Sequence, residues 1–211
     1  MKAAIFDFDG TLTALTLDFD YLKEEIAKIA TNYMPVDVVH SLWGRYIIET
    51  IYGIAKKLDA EGQKFQEEAF ERLNTLEIEA ARGKDVYPYT RAVLAKLQQK
   101  HIKTGIITRT CHGVLKQVFP DMDNFIDVTV TREDIREVKP DPAHVREALR
   151  MLNVLPEEAM VIGDHPTDIR AGRALDMRTA GVLTGRTGQK DFLEEQATFI
   201  FDDIRGIIGV V

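Results

Sequence analysis

Apolar and polar positions along this chain follow two distinct rhythms. Short runs of consecutive apolar residues, Ala3-Ala4-Ile5-Phe6, Thr104-Gly105-Ile106-Ile107 and Ala159-Met160-Val161-Ile162, each stop at a polar residue or glycine. Their length and continuity predict strands buried on both faces. Weaker runs at Phe125-Ile126-Asp127, 179–182 and 198–201 extend the series. Between the runs, apolar positions recur at helical spacing: Val93, Leu94 and Leu97 within 90–100, and Val145, Ala148, Leu149 and Leu152 within 142–153. Strands of this kind alternating with helices predict an α/β fold built on a parallel sheet.

One stretch departs from the alternation. From about 17 to 82 only the helical rhythm is found, at Leu22, Ile26 and Ile29, at Val38, Leu42, Tyr46 and Ile47, and at Phe65, Ala69, Leu73 and Leu76. Pro35 and Gly62 punctuate it. The expectation is an all-helical cap domain at 16–82 inserted into a core made of 1–15 and 83–211.

Charge narrows the partners. The 211 residues carry 27 Lys and Arg against 34 Asp and Glu, a net charge of −7. The insert holds 8 of the basic and 13 of the acidic residues, so −5 lies there and −2 in the rest. An acidic chain without a basic stripe argues against a nucleic-acid partner. Cys111 is the only cysteine, which excludes an intrachain disulfide and suits a cytoplasmic location. Asp7 stands where a signal peptide would need apolar residues, and no apolar run approaches the roughly 20 residues of a membrane span. Oligomeric state is not legible.

The candidate chemistry sits where the strands end. Asp7 and Asp9 follow the first strand in Asp7-Phe8-Asp9-Gly10-Thr11. Two carboxylates beyond the carboxyl end of a parallel strand can hold a divalent cation and present an oxygen nucleophile. The segment alone also reads as an acidic turn. A calcium loop is excluded, because its sixth position would be Leu12 and its twelfth Asp18. Thr108 closes the second strand, where a hydroxyl can bind phosphoryl oxygens or simply cap a helix. Lys139 precedes Pro140-Asp141-Pro142, a stiff turn that can hold an ammonium in place, with Asp141 and Pro142 resembling a helix start. Asp164 and Asp168, in Gly163-Asp164-His165-Pro166-Thr167-Asp168, add carboxylates at a third strand end. Either Asp164 or Thr167 could instead cap the next helix, and His165 reads as a loop residue.

Taken in this order, the four segments resemble the motifs of the haloacid dehalogenase-like hydrolase superfamily, over nearly the whole chain. That resemblance implies a Rossmann-like parallel sheet flanked by helices, with the insert as a C1-type cap. It implies that Asp7 attacks phosphorus and, with Asp164, ligates Mg²⁺. Asp9 becomes general acid and then base, its backbone carbonyl reaching the metal. Thr108 and Lys139 hold the phosphoryl group, and Asp168 ligates through water or orients Lys139. Arg109 stands where Asn or Gly is common and would contact the substrate or fill part of its pocket. Tyr89 and Thr90 after Pro88, and His165-Pro166, also depart from the usual pattern.

Asp9 separates the chemistries. Dehalogenases of this family lack an acid there, because a halide leaves without a proton; its presence favours phosphate. The function expected is Mg²⁺-dependent hydrolysis of a small phosphorylated metabolite, phosphoglycolate-like, through an aspartyl phosphate. Alternatives are a phosphomutase of the β-phosphoglucomutase kind and a phosphate- or Mg²⁺-sensing module without turnover. Arg45, Tyr46, Tyr52 and Lys56 are cap positions to which no role is assigned.

Overall fold

The strongest sequence signal, Ala3–Phe6, becomes strand β1, and all four of its residues are fully buried. The computed structural model describes residues 1–14, 17–44 and 46–211. Beside β1 lie β2 (Lys103–Ile107), β3 (Val128–Val130), β4 (Ala159–Gly163), β5 (Arg178–Val182) and β6 (Phe199–Phe201). They form one sheet in the order β3-β2-β1-β4-β5-β6, with every neighbouring pair parallel. Parallel strands need covered faces, which is why β1 and β4 read as unbroken apolar runs.

The helices among the described residues are α1 (Phe19–Ala30), α2 (Val36–Leu42), α3 (Ile47–Leu58), α4 (Gly62–Ala80), α5 (Thr90–Gln99), α6 (His112–Val118), α7 (Ala143–Leu152), α8 (Pro166–Arg173) and α9 (Gln189–Glu194). Val145, Ala148, Leu149 and Leu152 of α7 join Ala3, Ile5, Ile107, Val130 and Val161 in one apolar core. Helix α8 lies against β4 and β5, and α5 packs on β2 outside that cluster.

Two compact units emerge, Met1–Leu15 with Arg82–Val211, and Thr16–Ala81. The first holds the sheet. The second contains α1 to α4, and its described residues form no strand. Phe65, Ala69, Leu73 and Leu76 line the buried face of α4. Arg72 on α4 donates through Nε to Glu25 on α1 at 3.1 Å, and Tyr33 meets Phe65 edge-on at 5.6 Å. Leu15 and Thr16, where the expected boundary falls, and Arg45 lie outside the described residues. Tyr46 and Tyr52 are half-buried, the latter with its ring 5.4 Å from that of Phe70, and Lys56 is exposed.

The third strand begins three residues later than the run at Phe125-Ile126-Asp127 suggests. Asp127 uses its carboxylate instead, accepting the backbone N–H of Thr104 at 2.7 Å, and Phe125 stacks on Phe119. These contacts turn the chain before it enters the ladder.

Register decides what the sheet can do. Phe6 pairs with Ile106 on one side and Ile162 on the other. Asp7, one residue past Phe6, and Thr108 and Asp164, two past Ile106 and Ile162, therefore leave the sheet at the carboxyl ends of neighbouring strands, at the point where strand order reverses. In open α/β sheets this is where ligands bind.

Candidate active site

Asp7 continues the β1 ladder for one step, its N–H donating to Ile162 at 2.8 Å, before the chain turns. The turn depends on Gly10, whose φ of 89° is a left-handed conformation and whose missing Cβ would stand 2.3 Å from Oδ2 of Asp164. Thr11 is fully buried and donates its hydroxyl to Oδ1 of Asp164 at 3.3 Å. Thr184, after β5, donates to the Gly10 carbonyl at 2.6 Å. Gly185 next to it approaches so closely that a Cβ there would lie 1.8 Å from the Asp164 carboxylate.

Lys139 is only 2% exposed. Its ammonium lies 2.6 Å from Oδ1 of Asp7 and 2.6 Å from Oδ1 of Asp168. The contact with Asp7 is a directed hydrogen bond; that with Asp168 is a close ion pair without such alignment. Asp168 turns its other oxygen to the His165 N–H at 3.0 Å. The cap of α8 is thus His165, whose ring nitrogen accepts from the Thr167 N–H, rather than Asp164 or Thr167. Asp141 accepts the N–H of Ala143 at 2.8 Å and so fixes the start of α7.

Oxygens of Asp7, Asp164 and Asp168 all lie within 4.8 Å of one another, and all three residues are buried. Three carboxylates face one ammonium. Burial pulls the Lys139 ammonium toward neutrality, but the charges of Asp168 and Asp7 outweigh it and hold its pKa above the ordinary lysine value. The surplus negative charge falls on the carboxylates. Burial and then the neighbouring Asp7 and Asp168 push Asp164 well above the usual carboxylate range. Burial also raises Asp168, against the pull of Lys139. A hard divalent cation with oxygen ligands fits this donor set, since it would neutralise the two uncompensated charges. Asp9 is half-buried, and its side chain is not part of the cluster.

Thr108 is buried, its N–H donating to the Val130 carbonyl at 3.0 Å and its hydroxyl accepting the Thr110 N–H at 3.2 Å. Arg109 is half-buried and donates through Nη1 to the Lys139 carbonyl. Arg132 donates in turn to the Arg109 carbonyl at 2.6 Å. Sequence reasoning did not single out Thr184, Gly185 or Arg132. It also passed over His144, fully buried on α7, whose Nδ1 lies 3.2 Å from the Lys139 backbone nitrogen. Burial, with the charge of Lys139, lowers the His144 pKa to about 4.

The family model described as haloacid dehalogenase-like hydrolase matches residues 4–182. The chain belongs to the haloacid dehalogenase-like hydrolase family. Membership confirms the resemblance read from the four motifs, and the sheet with its flanking helices is the fold expected of the family. Pyrophosphatase PpaX of Anoxybacillus flavithermus is 25% identical to this hydrolase over 215 residues, covering 100% of this chain and 98% of the relative. Pyrophosphatase PpaX of Bacillus cereus is 28% identical over 127 residues, 59% of each chain. A predicted phosphoglycolate phosphatase from Haemophilus somnus 129pt shares the fold, with a TM-score of 0.69 at 16% identity over 99% of this chain and 97% of that one. Among the described residues of the hydrolase, no helix is long and apolar enough to cross a membrane.

Proposed function

We propose that this hydrolase is a Mg²⁺-dependent phosphatase that cleaves a small phosphorylated metabolite through an aspartyl phosphate on Asp7. The observation that carries the reading is the buried Lys139 ammonium, 2.6 Å from both Asp7 and Asp168, in a cluster completed by Asp164. Phosphoryl transfer asks for positioning and charge neutralisation more than for covalent machinery. A lysine held among carboxylates beyond a parallel strand meets both needs.

In this reading an Asp7 oxygen forms a bond to phosphorus as the bond to the leaving oxygen breaks. Asp9 gives that oxygen its proton, then takes one from the water that hydrolyses the aspartyl phosphate. Thr108 and Lys139 hold the phosphoryl oxygens, and Arg109 is a substrate-side cation. Asp7, Asp164 and Asp168, with the Asp9 carbonyl, would hold Mg²⁺, which supplies positive charge to the transferring group. The helical insert at 16–82 is read as a C1-type cap that selects the substrate. A cytoplasmic setting accords with the single, buried cysteine.

Phosphoglycolate-like acids are the substrate class suggested by the resemblance, and the name borne by the two PpaX relatives adds pyrophosphate. The test is phosphate release from p-nitrophenyl phosphate, phosphoglycolate, sugar phosphates and pyrophosphate, with Mg²⁺ and with EDTA. Turnover that needs Mg²⁺ supports the reading. No phosphate from any of them, in either condition, overturns it.

A further inference from the structure

His144 has no part in the chemistry just described, yet it touches two of the segments that supply it. Its ring lies between the Lys139 backbone N–H, 3.2 Å from Nδ1, and the Val130 carbonyl, 2.9 Å from Nε2. An N–H must donate and a carbonyl must accept, so these two partners together require the neutral ring with its proton on Nε2. The imidazole is fully buried, and burial together with the Lys139 charge keeps it neutral. The Val130 carbonyl has a second donor, the backbone N–H of Thr108 at 3.0 Å. On the far side of the Lys139 residue, Arg109 donates to its carbonyl.

We propose that His144 is a positioning residue, which fixes the backbone of Lys139 relative to Thr108 through the shared Val130 carbonyl. The inference rests on the proposed phosphatase reading, in which those two residues hold the transferring phosphoryl group. Lys139 lies on a loop, 31 residues after Thr108 in the chain, and an ammonium at the end of a long flexible stem is useful only if its Cα is held still. Helix α7 provides the anchor. Val145, Ala148, Leu149 and Leu152 seat it in the core, and His144, in its first turn, passes that rigidity to the Lys139 peptide. Arg109 grips the same residue from its other end, which makes it part of the same clamp.

The experiment compares wild type with His144→Phe and His144→Asn. Phenylalanine keeps a buried ring but offers no acceptor to the Lys139 N–H. Asparagine restores an acceptor close to the position of Nδ1. Two readouts are needed: kcat with p-nitrophenyl phosphate across a Mg²⁺ series, and hydrogen exchange at the Lys139 amide. For His144→Phe we expect kcat per folded molecule to fall about 10- to 100-fold, the size of loss usual when a supporting contact is removed. Its Mg²⁺ half-saturation should stay within about twofold of wild type, because no proposed ligand is touched, and its Lys139 amide should exchange faster. His144→Asn, whose amide stops short of the Val130 carbonyl, should recover the protection of the Lys139 amide and part of kcat.

Wild-type kcat per folded molecule in His144→Phe, or equal losses in the two variants, would overturn the role. Wild-type protection of the Lys139 amide in His144→Phe overturns it as well. If the wild type itself releases no phosphate, the phosphatase reading fails, and the amide measurement still decides whether His144 holds Lys139.

Discussion

The Lys139 ammonium donates to Oδ1 of Asp7 at 2.6 Å, across 132 positions of chain. Removing Lys139 leaves buried carboxylates uncompensated, whereas removing the charge of Asp7 still leaves Asp168 2.6 Å from the ammonium. Replacing Lys139 by Met leaves Asp7, Asp164 and Asp168 without a protein cation, and breaking a buried pair in this way costs about 3–5 kcal/mol. The metal-free variant should unfold at a distinctly lower urea concentration than wild type. Added Mg²⁺ should recover part of the deficit, and a midpoint that does not respond to Mg²⁺ would contradict a cation site among these carboxylates.

Asp7→Asn separates chemistry from fold. The change removes the nucleophilic charge at almost constant volume and relieves repulsion within the cluster. Turnover should fall below about one thousandth of wild type, while the thermal midpoint shifts by no more than a few degrees. Activity near wild type would remove Asp7 from the proposed mechanism.

Gly185 tests the geometry around Asp164. An added Cβ would lie 1.8 Å from Oδ2 of that carboxylate, so Gly185→Ala has to displace it. The expected result is a rise of about tenfold in the Mg²⁺ concentration for half-maximal activity, with a smaller change in kcat at saturating Mg²⁺. A metal titration checks it. An unchanged half-saturation would mean that the displaced oxygen is not a ligand.

The neutral His144 predicts a dependence on pH. Its folded pKa is about 4 against 6.5 for the ordinary value, so the folded state binds fewer protons in that interval. The stability associated with the neutral ring is complete above pH 6.5 and is lost as pH falls toward 4, by about 3 kcal/mol. Lys139, Asp7 and Arg109, the charges acting on the ring, are common to wild type and His144→Asn. The difference in unfolding free energy between the two should therefore narrow by that amount from pH 6.5 to pH 4. A gap independent of pH would show that the folded protein protonates the ring as readily as the unfolded chain does.

The meeting of Asp7, Lys139 and Asp164 was legible because each stands where a local pattern breaks, as Thr108 also does. An apolar run stops, or two prolines stiffen a turn, and a polar residue takes the next position. The sheet was legible for the same reason, since strands buried on both faces leave long apolar runs. His144 was hidden by its setting. It sits on the apolar face of α7, where a histidine looks like any other core residue, and both of its partners are backbone groups. Gly185 was hidden because its value lies in the absence of a side chain near Asp164, a contact made across the sheet. The start of β3 was misplaced because Asp127 bonds to Thr104, a pairing that no local rhythm records.

The first strand among the described residues occupies the middle of the sheet. Strand β1 waits for Lys103–Ile107 on one side and Ala159–Gly163 on the other, so neither partner exists when its own residues are made. Until those later residues are made, Ala3–Phe6 is a wholly apolar segment without either of its native partners. Such a segment is prone to wrong pairing, and the pressure on it is to stay short. β1 is four residues long and ends at the charge of Asp7, which keeps that apolar segment short.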